Sequence, residues 1–377
     1  MLRPWSVLCL PCLLLAGAAE ARAQQAPRTT YQKPQTSSFH VDGLSRQEWT
    51  DEITFVAKSR RMFRLRPRAE VELKWLQLGV GGDFIYSSDH NTDPPAGQTT
   101  LPLLRDNYKS RDARLDLAWG KLTPLHFISV QGGRFAMPVR FTEMIWDRDL
   151  RAQGGAATLD FGGFGPVRRF AVTGVYTRGS HILPAEGAFK FKDRDTAWMG
   201  SATAVLGAGA KDQIELLGTF VKFTDLGFVD PRLRRQNTRI AGALALPYEV
   251  VDLVARYRSE GRMSTLLVAD YCWNTAISEN NRGLWLAIVL GSTDTARGSL
   301  EYTYAKVDKD ATLAAYATDD FLWQTGWAGH RADLGLRMSD RTSSHLVGQL
   351  QRFKDSPNPA DRDTYLKRLR LEVRISY

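Results

Sequence analysis

The sequence predicts an all-β protein, a transmembrane antiparallel up-and-down β-barrel of about sixteen strands with short periplasmic turns and long extracellular loops. Three observations point there. Segments of nine to fourteen residues alternate apolar and charged side chains with period two. Short connections alternate with long polar ones. The chain opens on an export-type leader, yet its body holds a single cysteine.

The leader comes first. Arg3 precedes an apolar stretch from Val7 to Ala19, and Ala21-Arg22-Ala23 follows as a small-residue cleavage site. About 13 apolar residues are too few to span a hydrocarbon core of roughly 30 Å. Residues 1–23 are therefore expected to be a signal peptide. Cys9 and Cys12 leave with it, so Cys272 stands alone and no internal disulfide is possible. No small-small-Cys lipobox precedes either leader cysteine. Residues 24–48 are rich in Gln, Thr, Ser and Pro and are expected to be a flexible periplasmic lead-in. The barrel is placed at 49–377.

The last strand shows the alternation best. Leu369, Leu371, Val373, Ile375 and Tyr377 share one face, and Arg368, Arg370, Glu372, Arg374 and Ser376 the other. Phe63, Leu65, Ala69, Val71, Leu73 and Trp75 oppose Arg64, Arg66, Arg68, Glu70, Glu72 and Lys74. Ala113, Leu115, Leu117 and Trp119 alternate with Arg114 and Asp116. Ala332, Leu334, Leu336 and Met338 alternate with Arg331, Asp333 and Arg337. Strands are expected at 62–75, 77–88, 111–120, 125–136, 155–162, 167–177, 193–206, 211–223, 236–246, 249–259, 284–293, 297–308, 326–338, 343–354 and 364–377. An even strand count, with both ends in the periplasm, calls for one more, near Thr50–Ala57. Parity also makes 260–283 one long loop, although Leu266 to Tyr271 resembles a strand.

Such strands suit two architectures. A soluble sandwich buries the apolar face, whereas a membrane barrel turns it to lipid and wets the charged face. Strand length favours the barrel, as do Trp75, Trp119, Tyr257 and Tyr377 near strand ends, where aromatic girdles sit. A closed barrel pairs every backbone donor without disulfides. Around sixteen strands leave an aqueous channel, so passive diffusion of small hydrophilic solutes or ions is the expected function. A non-transporting barrel (a hydrolase or structural anchor) and a secreted β-rich binding protein are the alternatives.

The final strand, with Val373, Ile375 and Tyr377 on its apolar face, resembles the C-terminal assembly signal of outer-membrane proteins, which implies the barrel assembly machinery as a partner. The run Gly132-Gly133-Arg134-Phe135-Ala136-Met137-Pro138, then Ile145-Trp146-Asp147-Arg148-Asp149-Leu150 and Gly154-Gly155, resembles the "putative porin" family of Gram-negative outer membranes and, more distantly, the phosphate-selective porins. The resemblance implies a diffusion channel in the outer membrane, often a homotrimer. Phosphate specificity is not implied, because inward positions mix Arg with Asp and Glu rather than presenting lysines.

The strand phase turns Arg64, Arg66, Arg68, Lys74, Arg114, Arg337, Arg368, Arg370 and Arg374 into the lumen. Rings of such residues favour anions. Interspersed Glu70, Glu72, Asp116, Asp333 and Glu372 would neutralise most of them, leaving a weak anion preference. Loop 138–154 carries Arg140, Glu143, Asp147, Arg148, Asp149 and Arg151 with apolar Met144, Ile145 and Trp146. It suits either an inward constriction or an outward loop capped by salt bridges.

No catalytic, metal or cofactor site is expected. The six histidines form no HExxH or other close ligand pair. Ser344 and His345 adjoin but point to opposite faces of a strand. There is no G-x-S-x-G and no phosphate-binding glycine loop. Export argues against nucleic acid despite the formal charge of +9. Lipopolysaccharide phosphates and outer-membrane lipid are the expected surroundings of the loops and wall.

Overall fold

The computed structural model describes residues 36–51, 58–88, 111–178, 195–209, 211–229, 233–261, 263–294, 296–317, 320–322, 324–356, 359 and 362–377. Sixteen strands close into one antiparallel barrel. They are β1 (Thr36–Asp51), β2 (Lys58–Glu72), β3 (Leu76–Ser87), β4 (Arg111–Leu125), β5 (Ile128–Ala136), β6 (Arg151–Asp160), β7 (Val167–Arg178) and β8 (Thr196–Gly207). The second half holds β9 (Asp212–Thr224), β10 (Tyr248–Ser259), β11 (Thr265–Asn274), β12 (Arg282–Gly291), β13 (Gly298–Val307), β14 (Ala328–Ser339), β15 (Thr342–Arg352) and β16 (Tyr365–Ser376).

Each strand pairs with its sequence neighbour, and β16 closes on β1 from Asp42↔Ser376 to Asp51↔Lys367. The seam is complete to the last residue, since Val41 and Tyr377 exchange backbone hydrogen bonds of 2.9 Å. Closure leaves no open sheet edge, and that is how a cysteine-poor wall satisfies its backbone. Turns at 73–75, 126–127, 208–211 and 340–341 lie at one end with both termini of the barrel, and the long loops lie at the other.

Alternation sorts the side chains as expected along β16. Leu369 is 44 % exposed on the outer surface, whereas Arg370 is 3 % exposed inside. Phe63, Leu65, Phe84 and Leu115 are likewise outward, and Arg64 and Asp83 inward. On β4 the phase breaks. Gly81 pairs with Leu117 and Gly82 with Leu115, so Asp116 is an extra residue. Such a bulge reverses the faces beyond it. Trp119, expected on the lipid face, therefore turns inward over Gly79, where any Cβ would collide with the indole.

Four expected features are corrected. β1 starts at Thr36, inside the segment 24–48 read as a lead-in, rather than near Thr50–Ala57; residues 52–57 lie outside the described residues. Segment 236–246 is not a wall strand but part of a loop. Ala241 and Gly242 both have positive φ, 49° and 81°, and fold it into a ladder of Arg239–Ile240 on Ala243–Leu244. Region 260–283 holds a full strand, β11, paired on both sides. The two misplacements cancel, so the count of sixteen stands.

The fourth correction concerns the lumen, which is not a uniformly wet channel. Along β5–β13 many inward positions are apolar (among them Phe135, Val175, Met199, Leu217, Val221, Val254 and Cys272) and form one buried cluster, interspersed with buried polar side chains such as Thr219, Asp252 and Asp270. Residues 137–150 and the described residues of 308–327 pack against that side, so this part of the interior is packed with chain.

Candidate functional site

The lumen has two dissimilar walls bridged by two loops. The loop after β5 enters with Val139, Met144, Ile145, Trp146 and Leu150 buried. Thr142 Oγ1 donates to Asp270 on β11. Gly283 leaves space for the Met144 thioether, whose Sδ would lie 2.5 Å from a Cβ there. The loop after β13 enters beside it with Leu313, Tyr316, Phe321 and Leu322 buried. The loops hold each other: the Asp147 N–H donates to the Tyr316 carbonyl at 2.8 Å, and the Trp146 and Tyr316 rings sit 4.8 Å apart.

Polar side chains pin the second loop. Asn237 Nδ2 donates to the carbonyls of Lys309 and Thr312 at 2.8 and 3.0 Å, and its Oδ1 accepts the Ala314 N–H at 2.7 Å. The Tyr248 hydroxyl donates to Asp310 at 2.8 Å, and the Tyr316 hydroxyl to Asp195 at 2.7 Å. Buried backbone inside a barrel needs such partners as much as buried wall does.

Opposite lies a basic wall on β16, β1 and β2. Each loop sends one carboxylate to it. Asp149 accepts from Arg64 Nη1 at 2.5 Å and Arg66 Nη2 at 2.7 Å. Asp320 lies 3.3 Å from both Arg46 Nη1 and Arg370 Nη1. Burial by itself would raise both carboxyls, but the guanidinium groups outweigh it and hold Asp149 and Asp320 well below the usual carboxylate range. Behind this front the wall neutralises itself. Asp83 takes a two-point contact from Arg64 at 2.8 and 2.7 Å and a third bond from Arg114 at 2.9 Å. Glu48 takes Arg370 at 2.6 Å, and Glu372 takes Arg46 at 2.7 Å.

Of the arginines placed in the lumen by phase, Arg64, Arg66, Arg114, Arg368 and Arg370 are buried or half-buried in this wall. Arg374 faces it 44 % exposed, paired with Glu372 at 2.7 Å. Arg68 and Arg337 lie toward the short-turn end, paired with Asp42 and Asp340. Lys74 is not in the wall; it is exposed in the turn between β2 and β3.

In the loop, Arg140 sits 3.5 Å from Glu215 and Arg148 pairs with Glu143, which also lies 3.5 Å from Arg331. Asp147 is buried. Arg151 belongs to β6 and reaches Asp116 at 2.9 Å, so the loop ends at Leu150 rather than 154. Val373, Ile375 and Tyr377 face outward. Sequence reasoning missed Arg46 and Glu48, hidden in the presumed lead-in, and Asp320, whose surroundings carry no periodic signal.

Between the basic wall and the loop tips runs a cleft of about 520 Å³, opening among the short turns. Its lining carries eight arginines and eight carboxylates, so it has no net charge to impose. Among the described residues no group of three His, Cys, Asp or Glu side chains is placed to hold a metal ion.

A family model described as "putative porin" matches residues 21–220, more than half the chain. The chain belongs to this putative porin family. Solved porins share its fold. OprB of Pseudomonas putida superposes with a TM-score of 0.63 at 12% identity, over 90% of this chain and 94% of that one. Salmonella typhi OmpF, solved with daunomycin, superposes with a TM-score of 0.52 at 12% identity, over 90% and 97%. No curated protein matches. Family and barrel together make this porin an outer-membrane channel.

Proposed function

We propose that the porin passes small hydrophilic solutes by diffusion along the cleft between its basic wall and the two loop tips, with a weak preference for anions. The supporting observation is an asymmetry of exposure. At two points beside the cleft the arginine is the water-facing partner of its pair, Arg148 at 63 % exposed against 9 % for Glu143 and Arg374 at 44 % against 2 % for Glu372, whereas in Arg331–Glu301 and Arg46–Asp320 the carboxylate is the more exposed. At those two points a passing ion meets guanidinium first, although the lining as a whole is neutral.

Passage of this kind needs no cofactor and no chemical step. The proposal extends to an export signal at 1–23, recognition of Val373, Ile375 and Tyr377 by the assembly machinery, and lipopolysaccharide around the loops. A homotrimer is included. It is supported by a smooth outer face on β7–β11, where Gly174, Gly200, Ala202, Gly218, Ala255 and Ala269 leave room for a close neighbour. Reversal potentials in planar bilayers under a salt gradient test the selectivity. A modest anion-selective potential is expected; clear cation selectivity overturns the preference, and no conductance overturns the channel.

A further inference from the structure

The short-turn end of the cleft holds an arrangement that diffusion does not use. Ser343 and His345 are two residues apart on β15 and so share its inner face. Ser343 Oγ lies 3.0 Å from His345 Nε2. His345 Nδ1 lies 2.8 Å from Asp333 Oδ1, carried by β14. All three line the cleft. With Asp333 accepting from Nδ1–H, Nε2 is bare and faces the serine hydroxyl. A nucleophile, a base and an orienting carboxylate in this order define a triad by geometry, whatever the fold.

The surroundings are built for it. Gly335 is the cross-strand partner of His345, and a Cβ there would stand 2.8 Å from the imidazole Cε1. The ring therefore occupies a slot that only glycine provides. Ser343 is flanked across the sheet by Arg337 on β14 and Arg374 on β16. Arg374 lines the cleft with the three residues and lies 3.6 Å from Asp333, so a cation stands beside them where an oxyanion would form, whereas the Arg337 guanidinium turns away to Asp340 at 2.6 Å.

We propose that Ser343, His345 and Asp333 form an esterase site in the lumen, acting on small water-soluble carboxylic esters that enter the cleft. Ser343 Oγ bonds to the ester carbonyl carbon while its proton passes to His345 Nε2. The tetrahedral oxyanion rests beside Arg374. The ester C–O bond then breaks, and the alcohol leaves with the proton from Nε2. Water attacks the acyl-serine, giving one proton to Nε2. The acid departs, and that proton returns to Ser343. Asp333 is a positioning residue. Adjacent Ser344 faces away, as strand alternation requires, paired with Leu336 and Val373 of the outer surface.

The test uses the full chain folded in detergent, with diisopropyl fluorophosphate as probe and heat-dependent gel migration confirming each barrel. The serine oxygen displaces fluoride from phosphorus, so an adduct reports an activated serine. Peptide mass spectrometry is expected to place the adduct on Ser343 in the unaltered protein. Ser344→Ala leaves labelling unchanged. His345→Gly slows it by about a hundredfold, the scale of general-base assistance, and added imidazole restores it. Asp333→Asn lowers the limiting labelling rate without changing the half-saturating reagent concentration. Hydrolysis of p-nitrophenyl acetate is lost in Ser343→Ala. No adduct at Ser343, or equal rates with and without the His345 ring, overturns the proposal. Conductance is read separately, so neither result bears on the channel.

Discussion

The two sides of the lumen are built on opposite principles. On β16, β1 and β2 the inward positions are largely charged, and most cations are met by a carboxylate, as in Arg64–Asp83 and Arg370–Glu48. On β5–β13 they are mainly apolar and the space is filled by chain, with Tyr316 wedged between Trp146 and Phe223 at 4.8 and 5.1 Å. The charged side borders the cleft proposed as the solute path. The apolar side supplies the hydrophobic burial that holds two loops inside a barrel, where lipid on the outside contributes no drive for inward packing. A channel of this width is thus narrowed by a second, soluble-like core within its wall.

Breaking that inner core gives the largest expected effect. Tyr316→Ala removes both ring contacts and the hydroxyl bond to Asp195, and losing a buried aromatic of this size costs about 3–5 kcal/mol. Both loops lose their common anchor. Single-channel conductance is expected to rise several-fold while the barrel still migrates as folded. Unchanged conductance would show that the loops are held by their polar pins alone.

The same contrast explains what was legible in the sequence. Strands whose inner face is charged, such as β16 and β2, announce themselves by period two. β11 does not. Its inward face mixes Val268 and Cys272 with Asp270 and Asn274 while Leu267 and Tyr271 face lipid, so charged residues do not recur at every second position and the alternation is weak. β1 fails for the opposite reason: outward Ser45 and Gln47 are as polar as inward Arg46 and Glu48, and a Thr/Ser-rich start resembles a linker. Trp119 was assigned to the wrong face because a bulge cannot be read from one strand alone. Loop 137–150 was visible as a constriction candidate because it mixes apolar anchors with charges. Its partner loop, bearing Asp320, was not, since cross-lumen pairing depends on contacts far apart in sequence.

Untying the loops from the charged side is a smaller perturbation. Asp149→Asn with Asp320→Asn keeps the shape of both contacts but removes two of the eight carboxylates in the cleft. Weakening each charged contact costs about 1–3 kcal/mol, within what the apolar anchor withstands. Anion selectivity is expected to rise clearly, with a modest gain in conductance; loss of anion selectivity would mean these carboxylates do not face the solute path. Acid acts on the same pair. Their folded pKa values are depressed, so their contribution is present above the ordinary carboxylate value near 4. It is lost only as pH falls through the lower folded values. Conductance should stay level from pH 7 to about 4 and change only in stronger acid. A transition at pH 5–6 would point to other groups.

The smallest effect is expected at the boundary between the two sides. Arg148 stands on the apolar side's loop but presents its guanidinium to water, 63 % exposed. Replacing it, as Arg148→Gln, leaves Glu143 with Arg331 at 3.5 Å, so no carboxylate is stranded and the loop keeps its place. The lost charge is screened by the surrounding water and salt. The anion-to-cation permeability ratio should therefore fall by about twofold or less, the scale of an exposed ion pair, with conductance unchanged. The effect should shrink further in molar salt, where screening reaches only about 3 Å. An equal shift at low and high salt would place Arg148 in direct contact with the permeating ion rather than beside its path, and would move the narrowest point of the channel from the charged wall to the loop tip.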